Sequence, residues 1–502
     1  MQKIPPLRLL AWELTRACNL ACKHCRAEAI TEPLSEELNH SEAEKILDDI
    51  VNFAQPIIIL TGGEPLMRKD VLDLAAYGTE KGLRMVLATN GTLLDDNWVK
   101  ELKKVGIKRV SVSIDGATAK AHDDFRGVKG AFDRTMAGIE ALKKGGLDFQ
   151  INTTVTKTNL NQISAISDLA VKLGAVAFHI FLLVPMGRGS ALKEEVITPQ
   201  EYEEVLTWLV EQRDKQLIQV KATCAPQYYR ILRQKAKEKN EKVTFETYGL
   251  DAVTRGCLAG MGFCFIGSTG RVQTCGYLEI ECGHVRKEPL SKIWYNSEIF
   301  NKLRDKKQYK GKCGNCEYWQ VCGGCRARAY AISGDYLAEE PMCLYRPKGI
   351  KRVDMDAIDR KIINELQTRF PITSQPYAQI GKKLGLSEKE VLKRVKNLKK
   401  KGYIRRIGAN FNSEKLGFVS TLCAAKVPKE KIARFAQVVN RYKGVTHNYL
   451  RRSEFNIWFT FIAPTMDEIE EALEKIKKET GVYEVYNFPA TKIFKIKVNF
   501  KV

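Results

Sequence analysis

"CNLACKHC", residues 18–25, carries cysteines at positions 18, 22 and 25. Three thiolates so close together can hold a metal centre and leave one metal position open for chemistry, where four would close it. The stretch follows an apolar run, "LRLLAWELTRA" (7–17), that reads as a buried strand. "PIIILTGGEP" (56–65), "RMVLATNG" (84–91), "RVSVSIDG" (109–116), "FQINTTVTK" (149–157) and "AFHIFLLVP" (177–185) read the same way. Between them, "SEAEKILDDIVNFA" (41–54) and "DRTMAGIEALKKGG" (133–146) repeat apolar residues near helical spacing. This alternation predicts an α/β fold, a parallel β/α array over residues 1–220. Polar residues Glu64, Thr89, Asn90, Ser113 and Asp115 stand at the strand ends, where β/α barrels build their sites.

The rest of the 502 residues bounds the possibilities. Fourteen cysteines are clustered rather than dispersed, and nine of them lie between 257 and 343. No stretch reads as a signal peptide, and the apolar run "VAFHIFLLVPM" (176–186) is too short to span a bilayer. The chain is therefore expected in the cytoplasm, without membrane insertion. In that reducing compartment clustered cysteines read as metal ligands, not as a disulfide framework. The net charge of +22 suits a polyanionic ligand, nucleic acid or an anionic membrane surface, and equally a set of solvated lysine-rich helices.

Residues 221–350 are rich in Cys and Gly and weak in periodicity, so a metal staple is expected there. Composition shifts again after "RPKGIKRVD" (346–354). Residues 351–412 read as three helices and a winged-helix hairpin at "YIRRIGANFN" (403–412). The helix at "SEKEVLKRVKNLKKKG" (387–402) opens on a capping-box pattern, Ser387 with Glu390. Residues 413–502 give strand, helix, strand, strand, helix, strand, the ferredoxin-like α+β order.

The triplet, followed by "GGEP" and "SVSID", resembles the radical S-adenosylmethionine (SAM) superfamily. The resemblance implies a partial (β/α)6 barrel in which Cys18, Cys22 and Cys25 hold a 4Fe–4S cluster whose open iron chelates SAM. One electron from that cluster would cleave SAM to a hydrogen-abstracting 5′-deoxyadenosyl radical. Gly62, Gly63 and Glu64 would bind the methionyl part of SAM. Ser113 and Asp115 would lie at the ribose, and Arg126 in "FRG" would help hold the carboxylate. The competing reading is a structural zinc site with His24 as fourth ligand; otherwise His24 neighbours cluster and adenine.

The second field runs from Cys257 through Cys264 to "GRVQTC" at Cys275, then "CGNCEYWQVCGGC" (313–325) and Cys343. It resembles the SPASM extension, which binds auxiliary iron–sulfur clusters. By that resemblance Cys257, Cys264, Cys275 and Cys325 hold one 4Fe–4S cluster and Cys313, Cys316, Cys322 and Cys343 another, one or two in all. Cys322 and Cys325 are separated by two residues where the common pattern has three. A zinc ribbon over 313–325 is the alternative. Cys282 has no role in the scheme, and Cys224 and Cys423 read as buried apolar thiols.

"RLLAWELTRACNLACKHCRAEA" (8–29) and "CGNCEYWQVCGGCRARAYAISGDYLAEEPMC" (313–343) are most similar to the heme b synthases of the siroheme-dependent pathway. That family converts two propionates of iron-coproporphyrin III to vinyls by radical oxidative decarboxylation. The alternatives are a didecarboxysiroheme deacetylase and a peptide-modifying SPASM enzyme. Partners implied are an anionic iron-porphyrin and an electron donor such as ferredoxin or flavodoxin. Arg188, Arg326 and Arg328 are candidate anchors for the porphyrin carboxylates, or structural arginines. His179 meets substrate, or is a satisfied barrel histidine.

The C-terminal layout is that of the Lrp/AsnC regulators, and "EKEVLKRVKNLKKKGYIRR" (388–406) would suit a DNA major groove. "GVTHNYLRRSEFNIWFTFIA" (444–463) and "FPATKIFKIKVNF" (488–500) instead resemble the siroheme decarboxylases, Lrp-like enzymes that remove carbon dioxide from two acetates without a cofactor. His447 would be the proton donor. Tyr449 and Arg451 would share its strand face, with Arg452 on the other and Arg405 and Arg406 reaching the same cleft. Because those enzymes pair related subunits, one copy here implies a homodimer or a second decarboxylase-like subunit. The two activities would act at non-consecutive steps, since acetate removal lies between them.

Overall fold

The protein is described by a computed structural model covering residues 4–215, 217–348, 355–408 and 412–491. It forms two compact units, Met1–Lys351 and Arg352–Val502. In the first, seven strands run parallel in chain order: β1 (Leu9–Glu13), β2 (Ile57–Thr61), β3 (Arg84–Thr89), β4 (Val110–Ser113), β5 (Phe149–Val155), β6 (Ala177–Leu182) and β7 (Gln219–Thr223). Helices 40–53, 71–80, 96–104, 131–145, 163–173 and 199–215 cross over between them. This is the expected series of six βα repeats, ended by an additional strand, β7.

The sheet continues on its other edge. β8 (Phe263–Ile266) lies parallel to β1, β9 (Arg271–Gln273) pairs antiparallel with β8, and β10 (Gly283–His284) closes the row. Part of the cysteine-rich segment is thus integral to the barrel sheet. Its order, β10-β9-β8-β1-β2-β3-β4-β5-β6-β7, leaves the barrel open.

Period-two alternation sorts the strands into two faces. Leu10, Trp12, Ile58, Leu60, Met85, Leu87, Val112, Ile151 and Ile180 are buried in one core with the helices. The opposite, lumen-side face carries a polar row fixed by register, Ser113–Asn152–His179–Lys221 across β4 to β7. Asn39 and Glu42 form a reciprocal capping box on helix 40–53.

In the second unit, helices 357–368, 376–384 and 388–400 pack around Ile362, Ile380, Val391 and Val395. Ser387 caps the third, accepting from the Glu390 amide at 3.3 Å, but the Glu390 carboxylate goes to Arg394 instead of completing a box. Residues 403–408 form no strand, and 409–411 of the expected hairpin lie outside the described residues. Then come β11 (Val419–Ala425), helix 432–439, β12 (Val445–Leu450), β13 (Ile457–Ala463), helix 466–480 and β14 (Val485–Pro489). The sheet order β12-β13-β11-β14 is ferredoxin-like. Both helices cover one face, through Phe435, Phe459, Ile469 and Leu473. No helix among the described residues is long and apolar enough to cross a membrane.

Candidate active site and metal centres

The cysteine loop leaves β1 at the C-terminal end of the barrel and is clamped from three sides by backbone. Gly63 and Glu64 amides donate to the Thr15 and Ala17 carbonyls at 2.8 and 2.7 Å. Ala21 and Lys23 amides donate to Arg126 and Phe125 carbonyls. The Arg188 amide donates to the Cys25 carbonyl, and its guanidinium to the carbonyls of Cys22 and Ala29. A Cβ on Gly63 would sit 2.3 Å from the Ala17 oxygen, and one on Gly187, at φ +54°, 2.3 Å from that of Arg26. Close approach of backbone to backbone therefore explains these glycines.

Cys18 and Cys22 are buried and Cys25 is half-buried, packed with Leu20, Ala29 and Ala131. Each thiol faces an N–H. The Leu20 amide and the Asn90 side chain lie 3.4 and 3.9 Å from the Cys18 sulfur, the Ala29 amide 3.4 Å from Cys25, and Arg126 3.7 Å from Cys22. Burial pushes the Cys18 thiol up to about 11, so the free thiol keeps its proton and a bound cation is what ionises it. Among the described residues no three His, Cys, Asp or Glu side chains meet closely enough for a single metal ion. A cubane spreads its thiolates over separate irons and suits this wider arrangement better than the zinc alternative.

Glu64 is fully buried. It accepts from Thr89 Oγ1 and the Asn90 amide, both at 2.8 Å, and from the Leu66 amide at 3.1 Å. Desolvation still raises its carboxyl to about 6. Asp115, also buried, pairs with Arg126 at 2.6 Å and accepts from the Thr154 amide. His24 stacks on Phe125 at 4.5 Å, its Nδ1 buried without a partner. Burial lowers it to about 4, which keeps it neutral. Glu64 thus ties the segment after β2 to the end of β3, and the Asp115–Arg126 pair ties the segment after β4 to helix 119–126. Ser113 stands apart from them, in the lumen row.

In that row His179 bonds Gln150 at 3.0 Å, and burial, then Lys221 and Arg109, drive it down to about 3. Lys221 is the row's cation. The acid acting on it, Asp251, is already engaged by Arg213 and Tyr228.

The arginines proposed for carboxylates are spent elsewhere. Besides Arg188, Arg326 donates to the carbonyls of Gly324, Tyr336 and Ala338, and Arg328 to those of Cys224, Leu182 and Leu183. Both are 1 % exposed. They are structural clamps, because backbone carbonyls outnumber other acceptors around them.

Cys313, Cys316, Cys322 and Cys343 line one cavity, with Arg230, Lys312 and Trp319 at its wall. Gly323 and Gly324, both left-handed, turn the chain tightly between Cys322 and Cys325. Cys257, Cys275 and Cys325 come together beside it, but Cys264 does not join them. It lies on β8, wholly buried near Cys282 in the core between sheet and helices, because its register with Leu10 of β1 turns its side chain to that face. Cys224 packs with Cys275 and Cys325 instead.

In the second unit His447 and Tyr449 lie on the exposed side of edge strand β12, their rings stacked at 6.1 Å. Arg451 reaches over Tyr449 and Trp458 at about 6 Å. Register aligns these with Leu422, Tyr486 and Phe488, giving an open aromatic face. Arg405 and Arg406 are exposed in the segment after helix 388–400, and Arg452 lies past the end of β12.

Residues 12–170 match the radical SAM superfamily, 257–317 the iron-sulfur cluster-binding domain SPASM, 359–405 the siroheme decarboxylase NirDL-like HTH domain and 415–495 the AsnC-like ligand binding domain. The chain is 55% identical over 344 residues to an AdoMet-dependent heme synthase of Nitratidesulfovibrio vulgaris, covering 68% of this chain and 94% of the relative. It is 33% identical over 351 residues to the Fe-coproporphyrin III synthase of Methanosarcina barkeri, covering 67% and 87%. Over 148 residues it is 55% identical to the siroheme decarboxylase alpha subunit of Desulfovibrio desulfuricans, covering 30% and 85%. The fold of the first unit is also that of the solved SuiB of Streptococcus suis bound to its precursor peptide, with a TM-score of 0.54 at 18% identity over 68% of this chain and 76% of that one. The cofactors are accordingly SAM and 4Fe–4S clusters. The chain is an enzyme of heme synthesis: its first two thirds belong to the AdoMet-dependent heme synthase family of radical SAM proteins, and its last third to the siroheme decarboxylase family.

Proposed function

We propose that the first unit converts two propionates of iron-coproporphyrin III to vinyls, and that the second removes carbon dioxide from two acetates of siroheme. The observation carrying the first assignment is the gap in identity, 55% to a heme synthase against 33% to an Fe-coproporphyrin III synthase, over nearly the same residues. When bound, SAM and the cluster held by Cys18, Cys22 and Cys25 would supply the hydrogen-abstracting radical, and clusters held by the auxiliary cysteines would serve as acceptor for the one electron that each propionate releases along with a β-hydrogen and carbon dioxide. The protein's own part is to seat the substrate and keep water out. Lys221, whose ammonium burial disfavours and whose nearby acid Asp251 is engaged by Arg213 and Tyr228, serves as the propionate anchor, the incoming carboxylate supplying its counter-charge. Gly62, Gly63, Glu64, Asp115 and Arg126 hold the walls of the SAM site, with Ser113 at its rim.

In the second unit His447 donates the proton to the carbon that loses carbon dioxide, with Tyr449 and Arg451 seating the carboxylates. The open aromatic face around them is half a cleft, and a homodimer or a second decarboxylase-like subunit completes it.

Anaerobic incubation of the reconstituted full chain with SAM, reductant and iron-coproporphyrin III, read by mass spectrometry, tests the first activity. Loss of two formic acid equivalents is expected; SAM cleavage with unchanged porphyrin would reject the substrate. Siroheme offered without SAM tests the second. Salt-dependent binding of duplex DNA, with siroheme unchanged, would make the unit a regulator instead.

A further inference from the structure

We propose that Cys224, and not Cys264, is the fourth thiolate of the auxiliary centre formed with Cys257, Cys275 and Cys325. The proposal rests on the first unit being a SPASM-type iron–sulfur protein, but not on what porphyrin it uses.

Three observations carry it. Cys224 and Cys325 pack with Cys275 in one apolar pocket walled by Val184, Leu278 and Ala327. Cys257 and Cys275 share the adjoining pocket. Cys264 is on the wrong side of a strand: its neighbours are Cys282 and the core. Bringing it to Cys275 would require a one-residue slip of β8 against β1, which would expose every core side chain of that strand.

The backbone at Cys224 points the same way. Its φ of +57° is one of three positive values among the described non-glycine residues. Such a conformation costs about 1–3 kcal/mol and persists only where surroundings impose it. Here the Cys224 carbonyl accepts from Tyr202 Oη at 3.2 Å and Arg328 Nη1 at 2.9 Å. Arg328 belongs to the helix 326–333 that starts immediately after Cys325. One buried guanidinium therefore ties the end of β7 to the loop bearing Cys325, turning the Cys224 side chain towards that thiol. The shortened Cys322–Cys325 spacing falls on this same centre, so both departures from the common pattern occur together.

Four cysteines, each releasing its proton to solvent as its thiolate binds iron, would leave this centre with no open position. It would then pass electrons and bind no substrate. The test uses the full chain carrying Cys18→Ala, Cys22→Ala and Cys25→Ala, so that iron reports the auxiliary centres alone. After anaerobic reconstitution, iron, sulfide and the low-temperature EPR spectrum are compared. Cys224→Ala should lose up to one cluster's iron, or convert it to a three-iron signal, to the same extent as Cys257→Ala. Cys264→Ala should match its parent. Persistence of the signal from the Cys313 set shows that the variant is folded. Cys224→Ser, which offers an alkoxide in the same volume, should retain iron with altered g values. Parent iron and spectrum in Cys224→Ala, unaltered g values in Cys224→Ser, or loss of iron in Cys264→Ala would each overturn the assignment.

Discussion

The cysteine loop at residues 18–25 and the strand at 445–450 are built in opposite ways. The loop is buried, each thiol faces a donor, and three glycine-bearing segments hold its backbone. The strand is an edge, and His447, Tyr449 and Arg451 lie open to solvent on it. One set of side chains is enclosed by its own chain; the other lies on an open face. A hydrogen-abstracting radical needs walls that hold one target C–H in reach and keep other abstractable hydrogens away, whereas a proton donor can be shared across a subunit boundary.

The contrast can be broken by substitution. The largest effect belongs to Cys22→Ala, which should abolish SAM cleavage while leaving carbon dioxide release from siroheme at its parent rate; a fall in both, measured side by side, would join the two sites. His447→Gln should do the reverse. It should lower siroheme decarboxylation about 10²–10⁴-fold, the usual worth of a general acid, yet shift unfolding by no more than about 0.5 kcal/mol, as expected at an exposed position. An equal loss of stability would mean that the strand is structural.

Asp115→Asn should cost the first unit about 3–5 kcal/mol in denaturant titrations, because it strands a buried guanidinium. Removing Glu454, the exposed partner of Lys426 in the second unit, should cost under about 1 kcal/mol. Asn90→Ala removes a donor to the Cys18 sulfur and to Asn19, and should slow SAM cleavage about 10–100-fold with a displaced cluster potential. The smallest effect is electrostatic and on the surface. Arg286 holds Glu42 down to about 2 from its ordinary 4.5. That stabilisation is complete above about pH 4.5 and is lost as pH falls towards 2, so Arg286→Gln should flatten the acid limb of the first unit's melting curve.

Strands β1 to β6 were legible because buried parallel strands are continuous apolar runs between helical patterns. β7 was not: "QVKAT" (219–223) is half polar, since its lumen side carries Gln219, Lys221 and Thr223. Overlooking it also concealed Cys224, which stands just past a strand's C-terminal end, where barrel sites are built. The placement of Cys264 was hidden for a related reason: spacing along the chain does not reveal which face of a pleat a residue takes, and on β8 it shares the face of Leu10. Motifs were easier to find than to interpret. "GGEP", "FRG" and "PMGRG" all converge on the cysteine loop, but their glycines serve backbone contacts. Arg188, Arg326 and Arg328 are spent on carbonyls, because a guanidinium's five donors take whatever acceptors burial supplies.

The three glycine segments have a practical consequence. Apart from the contact of Arg126 with the Cys22 sulfur, the bonds they make to the cysteine loop run from amide or guanidinium to carbonyl. The receptacle should therefore outlast its contents. A centre bleached by air could be stripped with chelator and replenished with ferrous iron and sulfide in the folded protein, with no denaturation step in between.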